Sequence, residues 1–234
     1  MLGSLRESLR DAGLLGQVRV GVPLPAERPS YPRRSSDGPL PHPYGLDSLL
    51  RPLERSAHGR LVELVGSPSS GRTALAYRLA AGAAARGELI GWVYPGDALD
   101  PRFLRRSGLD LERLLWVRPQ RIEATLRSAE LLLKTGFALV VLDLDGTPPA
   151  ALQQCGPSVW SRLLRAVRGA RATAVLIGRE RVTGSFATLG LRAERSRALF
   201  DRGLFEGLEA FASVVRNRTG PTDTELPFRV LHRP

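Results

Sequence analysis

An eight-residue run, Gly66-Ser67-Pro68-Ser69-Ser70-Gly71-Arg72-Thr73, sets the strongest limit on what this chain can fold into, because it lies between a short apolar stretch and a helical one. It matches the phosphate-loop pattern at every defined position except one. In such a loop glycines let backbone N–H groups cradle phosphates at a helix N-terminus, a lysine reaches the β and γ phosphates, and a hydroxyl binds Mg²⁺. Gly66, Ser70, Gly71 and Thr73 supply the matching positions, and Arg72 stands where the lysine would be. Arginine is bulkier, planar and forked, so the exchange at a tight phosphate site is not conservative. The alternative reading is a glycine-rich strand-to-helix turn that holds no ligand.

From Arg60 onward short apolar runs alternate with helical stretches, the signature of βαβ units and a mainly parallel sheet. The pattern predicts strands at Leu61 to Val65, Leu89 to Tyr94, Leu114 to Val117, Phe137 to Leu142 and Ala172 to Ile177. Helices are predicted over Thr73 to Arg86, Ile122 to Lys134 and Ser158 to Gly169, the first two ending near a glycine. After Ile177 strand-like alternation returns at Thr188 to Arg195, Phe211 to Asn217 and Phe228 to Leu231, with a turn signal at Gly220-Pro221. The expected class is α/β: a mainly parallel sheet flanked by helices, with an antiparallel C-terminal extension. Ahead of this core, residues 1–22 read as a helix followed by a strand, and residues 23–44, with seven prolines between Pro23 and Pro43, as an extended linker. The core domain is then 45–234. Asp143, closing the run Phe137 to Leu142, has the type and place of a Walker B aspartate that orients a metal-bound water. Asp145 and Gly146 follow, so the pair also reads as a turn.

Composition narrows the function. The 234 residues are 43% hydrophobic, enough for a substantial core. Cys155 is the single cysteine, which leaves no internal disulfide and no metal-ligand cluster, and points to a reducing cytoplasm. No apolar run has the length of a membrane span, and Glu7 and Asp11 interrupt what would be a signal peptide's apolar region, so no membrane role is expected. Of 34 basic residues only Lys134 is a lysine, against 23 acids, for a net charge of +11. Residues 158–234 hold 14 basic and 7 acidic side chains, so the last third is the basic part. Arg162, Arg165, Arg168 and Arg171 recur every three residues along one helix face. With Arg179 they form a candidate face for DNA phosphates, bound without sequence preference, or for an acidic protein surface; an ordinary solvated face is the alternative.

The run Gly59 to Gly66, then Ala98-Leu99-Asp100-Pro101, then Gly108-Leu109-Asp110-Leu111, and finally Ala212-Ser213-Val214, resemble successive segments of the RecA superfamily in order over about residues 45–217. More narrowly, the degenerate loop and the ending Gly-Leu-Phe-Glu-Gly-Leu-Glu with Val-Val-Arg-Asn-Arg-Thr-Gly-Pro resemble ImuA, the RecA-like family of bacterial translesion-synthesis cassettes. The resemblance implies a RecA-like core and a catalytic glutamate ahead of Ala98 to Pro101, where this sequence has Gly96, with Asp97 one residue on. Asp97 is either a substitute base or a turn and capping acid. A positioned base is worth roughly 10²- to 10⁴-fold in rate. The family's coupling glutamine after the fifth core strand is replaced by Gly178 and Arg179. The expectation is therefore a non-enzymatic, degenerate RecA-type ATPase with no required cofactor and no tight ATP or Mg²⁺ binding. The ImuA resemblance implies a regulator in SOS mutagenesis and DNA-damage repair. Its partners would be RecA and an ImuB-like Y-family polymerase homologue. A DNA-stimulated ATPase and a basic DNA-binding accessory module are the competing readings.

Overall fold

In the computed structural model, residues 7, 8, 10, 11, 13, 18–20, 50, 59–96, 99–106 and 108–231 are described. The expected linker 23–44 lies outside them, as does most of the expected arm. Within the arm, Glu7, Ser8, Arg10 and Asp11 are helical and Val18–Val20 forms strand β1.

The remaining elements follow in chain order: β2 (Arg60–Val65), α1 (Arg72–Ala85), β3 (Ile90–Val93), α2 (Pro101–Arg106), a 3₁₀ turn (Leu111–Arg113) and β4 (Leu114–Val117). Then come α3 (Ile122–Lys134), β5 (Leu139–Asp143), α4 (Pro149–Gln153), α5 (Pro157–Ala170), β6 (Thr173–Gly178), β7 (Leu189–Asp201), β8 (Leu204–Asn217) and β9 (Glu225–Leu231). They make one nine-stranded sheet in the order β1-β4-β3-β5-β6-β2-β7-β8-β9. Strands β2 to β6 are mutually parallel where they pair, and β7 continues parallel beside β2. β8 and β9 then turn back as the antiparallel extension, and β1 adds antiparallel to β4 at the opposite edge.

The core strands are short and apolar because both faces of the sheet are covered, the condition under which parallel strands read as continuous apolar runs. One face carries α1, whose Leu75, Ala76, Leu79 and Ala80 pack with Val62, Leu64, Val141 and Ile177. The other carries α3 and α5, with Leu132, Leu133, Trp160, Leu163 and Val167 against Leu61, Val140, Leu142 and Leu176. Burying each such side chain stabilises by about 1.5–3 kcal/mol. α3 spans the range its sequence pattern predicts, ending beside Gly136.

Three features differ from the sequence reading. β7 and β8 are 13 and 14 residues long, well beyond the predicted segments, and α2 and α4 were not anticipated. Both helices are five or six residues long, too short to show a helical period. No helix among the described residues is long and apolar enough to cross a membrane.

Candidate functional site

The loop that follows β2 turns sharply at Gly66. A Cβ there would lie 2.3 Å from the Ala193 carbonyl oxygen, and φ is 152°, so glycine is required. At the far end Gly71 (φ 92°) begins α1, and a Cβ there would press the Phe228 ring at 2.8 Å. The 14-residue helix has no side-chain cap and no acid in its first turn, which leaves its first N–H groups facing the loop. This strand-loop-helix path is the one the motif requires, and Thr73 sits half-buried in the first turn.

Arg72 spans the loop. Its side chain is 3% exposed. One guanidinium nitrogen donates to the Gly66 carbonyl at the start of the loop. The other donates to Oδ2 of Asp145 at 2.5 Å, across 73 residues of sequence. The guanidinium thus staples the two ends of the loop together and ties it to the segment after β5. Ser70 Oγ and Arg72 Nε are buried beside it without a hydrogen-bond partner.

Asp143 ends β5, as the sequence reading has it, and is 7% exposed. Its Oδ1 accepts the Asp145 N–H at 3.0 Å. Burial pushes its carboxyl up to about 6, and the nearby Asp145 carboxylate adds to the rise, while the Asp145 N–H bond and the Arg72 guanidinium oppose it. The Asp143-Leu144-Asp145 segment is therefore more than the turn-former it resembles in sequence: Asp145 is the counterion of Arg72. An acid two residues past Asp143, opposite an arginine in place of lysine, was the available signal. Tyr77 of α1 stays protonated, because burial first and then Asp143 and Asp100 raise its phenol above the ordinary value. Its ring stacks at a tilt on Trp92, 5.0 Å between centroids.

Gly96 follows β3, and a Cβ there would lie 2.5 Å from the Tyr94 ring. A longer side chain at this position would have to displace Tyr94. Asp97 lies outside the described residues.

The basic residues lie on two elements, α5 and the loop after β6. Arg162, Arg165 and Arg168 are exposed along α5, and Arg171 caps its C-terminus in the left-handed region (φ 53°). Arg162 pairs with Glu130 of α3 at 2.5 Å. Arg179 follows the carboxyl end of β6. There it approaches Oδ1 of Asp145 at 3.7 Å, beside the phosphate-loop site.

Sequence reading missed Glu63. It sits in the middle of β2, 1% exposed, where an acid in the run Leu-Val-Glu-Leu-Val was itself the clue. Its Oε1 accepts the N–H groups of Val182 and Thr183 at 2.8 and 2.9 Å, and Oε2 accepts from Arg181 at 3.2 Å. The loop after β6 is thereby pinned to the central strand. Between that loop and the segment after β5 lies a cavity of about 490 Å³, bordered by Asp145, Cys155, Arg179 and Arg181.

Residues 46–152 match the sequence model of the RecA N-terminal domain. RecA of Cutibacterium acnes is 28% identical over 206 residues, covering 74% of this chain and 59% of that protein. RecA of Bartonella quintana is 26% identical with the same coverage. The chain thus spans about 59% of the length of these relatives. A crystal structure of the RadB recombinase superposes with a TM-score of 0.60 at 23% identity, covering 79% of this chain and 92% of that one, and so shows the shared fold. Over residues 46–152 the chain is thus similar to the RecA N-terminal domain, and its fold is similar to that of RadB.

Proposed function

We propose that this RecA-related chain is a non-hydrolysing regulator of DNA-damage tolerance, acting in SOS mutagenesis and translesion synthesis through contacts with RecA and an ImuB-like polymerase homologue. By occupying a RecA-type surface without a nucleotide switch, it would cap RecA assemblies and limit recombination. The observation that carries the reading is the Arg72 guanidinium, buried across the phosphate loop on the Gly66 carbonyl and Asp145. A Mg²⁺-bound triphosphate does not fit this arrangement, because a cation already fills the loop and is neutralised by the protein's own carboxylate. The crowding at Gly96 supports the same reading, since a general base on that segment would need room that Tyr94 takes. The pinned loop after β6 adds to it: a segment held by a buried carboxylate is poorly suited to wrap a nucleic acid strand.

A DNA-stimulated ATPase is the second reading, favoured by Thr73 in the first turn of α1 and Asp143 at the end of β5. ATP hydrolysis with Mg²⁺, with and without single-stranded DNA, separates the two when an Asp143→Ala control is run beside it. No turnover above the control is expected. Turnover that the control abolishes sinks the first reading in favour of the second. The regulatory role has its own test: the purified chain in excess should bind RecA and slow RecA strand exchange, and unchanged exchange with no binding refutes it. A basic DNA-binding module would instead show steeply salt-dependent DNA affinity, weakened by charge reversal at Arg165 and Arg168.

A further inference from the structure

The β7–β8 hairpin outruns the sheet it belongs to. β9 covers β8 only over Gly207 to Ser213, so from Leu199 to Glu206 the ladder is two strands wide. Its turn is tight: Arg202 (φ 47°) and Gly203 (φ 82°) both take positive φ between the paired residues Asp201 and Leu204, the geometry of a two-residue hairpin turn. At this tip Phe200 is 64% and Leu204 73% exposed, and the Phe200 ring meets Phe205 edge-on at 5.8 Å. Scattered exposed apolar side chains are ordinary, but a cluster on a projecting turn marks a contact site.

Charge selects the partner. The chain carries +11 overall, yet the tip segment Leu199 to Glu206 has two acids, Asp201 and Glu206, against Arg202 alone. Such a tip is repelled by nucleic acid and attracted to an arginine-rimmed surface with an apolar floor. The same chain offers one. On the outer face of β8 and β9 a groove of about 340 Å³ is floored by Phe211 and Pro227. Arg197 and Arg229 stand at its edge, both held by Glu209, at 2.7 and 2.6 Å. Phe211 is 40% exposed there. A tip paired through Asp201 and Leu204 cannot turn back onto a groove walled by its own two strands, so the match is between molecules.

We infer that the β7–β8 tip of one copy docks in the β8–β9 groove of a second copy of this chain. The contact is head-to-tail, tip to groove, and so leaves one tip and one groove open in each dimer. It is also small, below the roughly 1,200–2,000 Å² of a standard interface, so association is weak and reversible. This inference does not depend on the nucleotide site.

Sedimentation velocity of the full chain between about 1 and 200 µM should show a mass that rises with concentration. The tip variant Phe200→Ser/Leu204→Ser and the groove variant Phe211→Glu should each stay monomeric at the highest concentration. Their equimolar mixture should form a 1:1 dimer and nothing larger, because one still offers a groove and the other a tip. Circular dichroism matching the parent chain establishes that each variant is folded, and Leu204→Arg replaces the double variant if that one is not. A parent chain that stays monomeric throughout overturns the inference and gives the tip to a different protein. Association surviving both variants, or a mixture that remains monomeric, overturns it as well.

Discussion

Replacing Arg72 by methionine and Asp145 by asparagine, singly and together, tests whether this pair closes the phosphate loop. The two charges meet at 2.5 Å, with Arg72 3% and Asp145 33% exposed. At an effective dielectric of 20, unit charges about 4 Å apart interact by about 4 kcal/mol. A third of Asp145 faces water and Arg179 stands 3.7 Å from its other oxygen, so screening lowers the coupling to ~1.5–3 kcal/mol. The single variants should be unequal. Asp145→Asn leaves a buried guanidinium without a counterion and should cost about 3 kcal/mol, at the lower end for a broken buried pair. Arg72→Met leaves a partly hydrated carboxylate beside Arg179 and should cost ~1–2 kcal/mol. In a chain of this size each kcal/mol lowers the melting midpoint by roughly 2–4 °C. The assay is urea unfolding at pH 7 in low and high salt. Coupling should persist in high salt because Arg72 is shielded from the solvent. Additivity within about 0.5 kcal/mol, or a milder effect from Asp145→Asn than from Arg72→Met, refutes the reasoning.

Three further outcomes are expected. Asp143→Asn should stabilise the chain above pH 6: with its carboxyl raised to about 6, the folded state favours the proton, so the parent's advantage is full below pH 4 and fades as pH rises through 6. The variant should then exceed the parent by up to ~3 kcal/mol at pH 7 and match it at pH 4, read from urea midpoints. Arg72→Lys completes the phosphate-loop pattern, and a single ammonium cannot hold both acceptors, so ATP affinity by equilibrium dialysis should rise by about tenfold or more. Glu63→Ala should strand the Val182 and Thr183 N–H groups, cost roughly 3 kcal/mol, and speed hydrogen exchange at those two amides before any other in β6 or its loop.

The parallel core was legible because each strand is a brief apolar run buried on both faces, and α3 because its apolar stripe ends at a glycine. The hairpin was not. Register shifts at Gly190/Leu191, Arg195/Arg197 and Leu199/Phe200 break the period of two, and its outer face is charged, so Ser196 to Ala210 carries no clean alternation. At the site, the loop and Asp143 could be read because their chemistry is local in sequence. Glu63 and Asp145 stand out as acids, but their partners could not be read, since they lie 118 to 120 and 73 residues away along the chain.

The place of β2 in the sheet has a consequence for synthesis. It is the first strand of the core to be made, yet it lies between β6 and β7, which are among the last. Its final neighbour begins about 120 residues after it ends, which at roughly 5–20 residues per second is on the order of 6–24 s of translation. For most of that interval the apolar strand Leu61 to Val65 has neither hydrogen-bonded edge filled, and the carboxylate of Glu63 has not met the amides it later holds. The nascent chain must keep this strand from pairing elsewhere, and a ribosome-bound chaperone footprint should centre on it until β6 and β7 emerge.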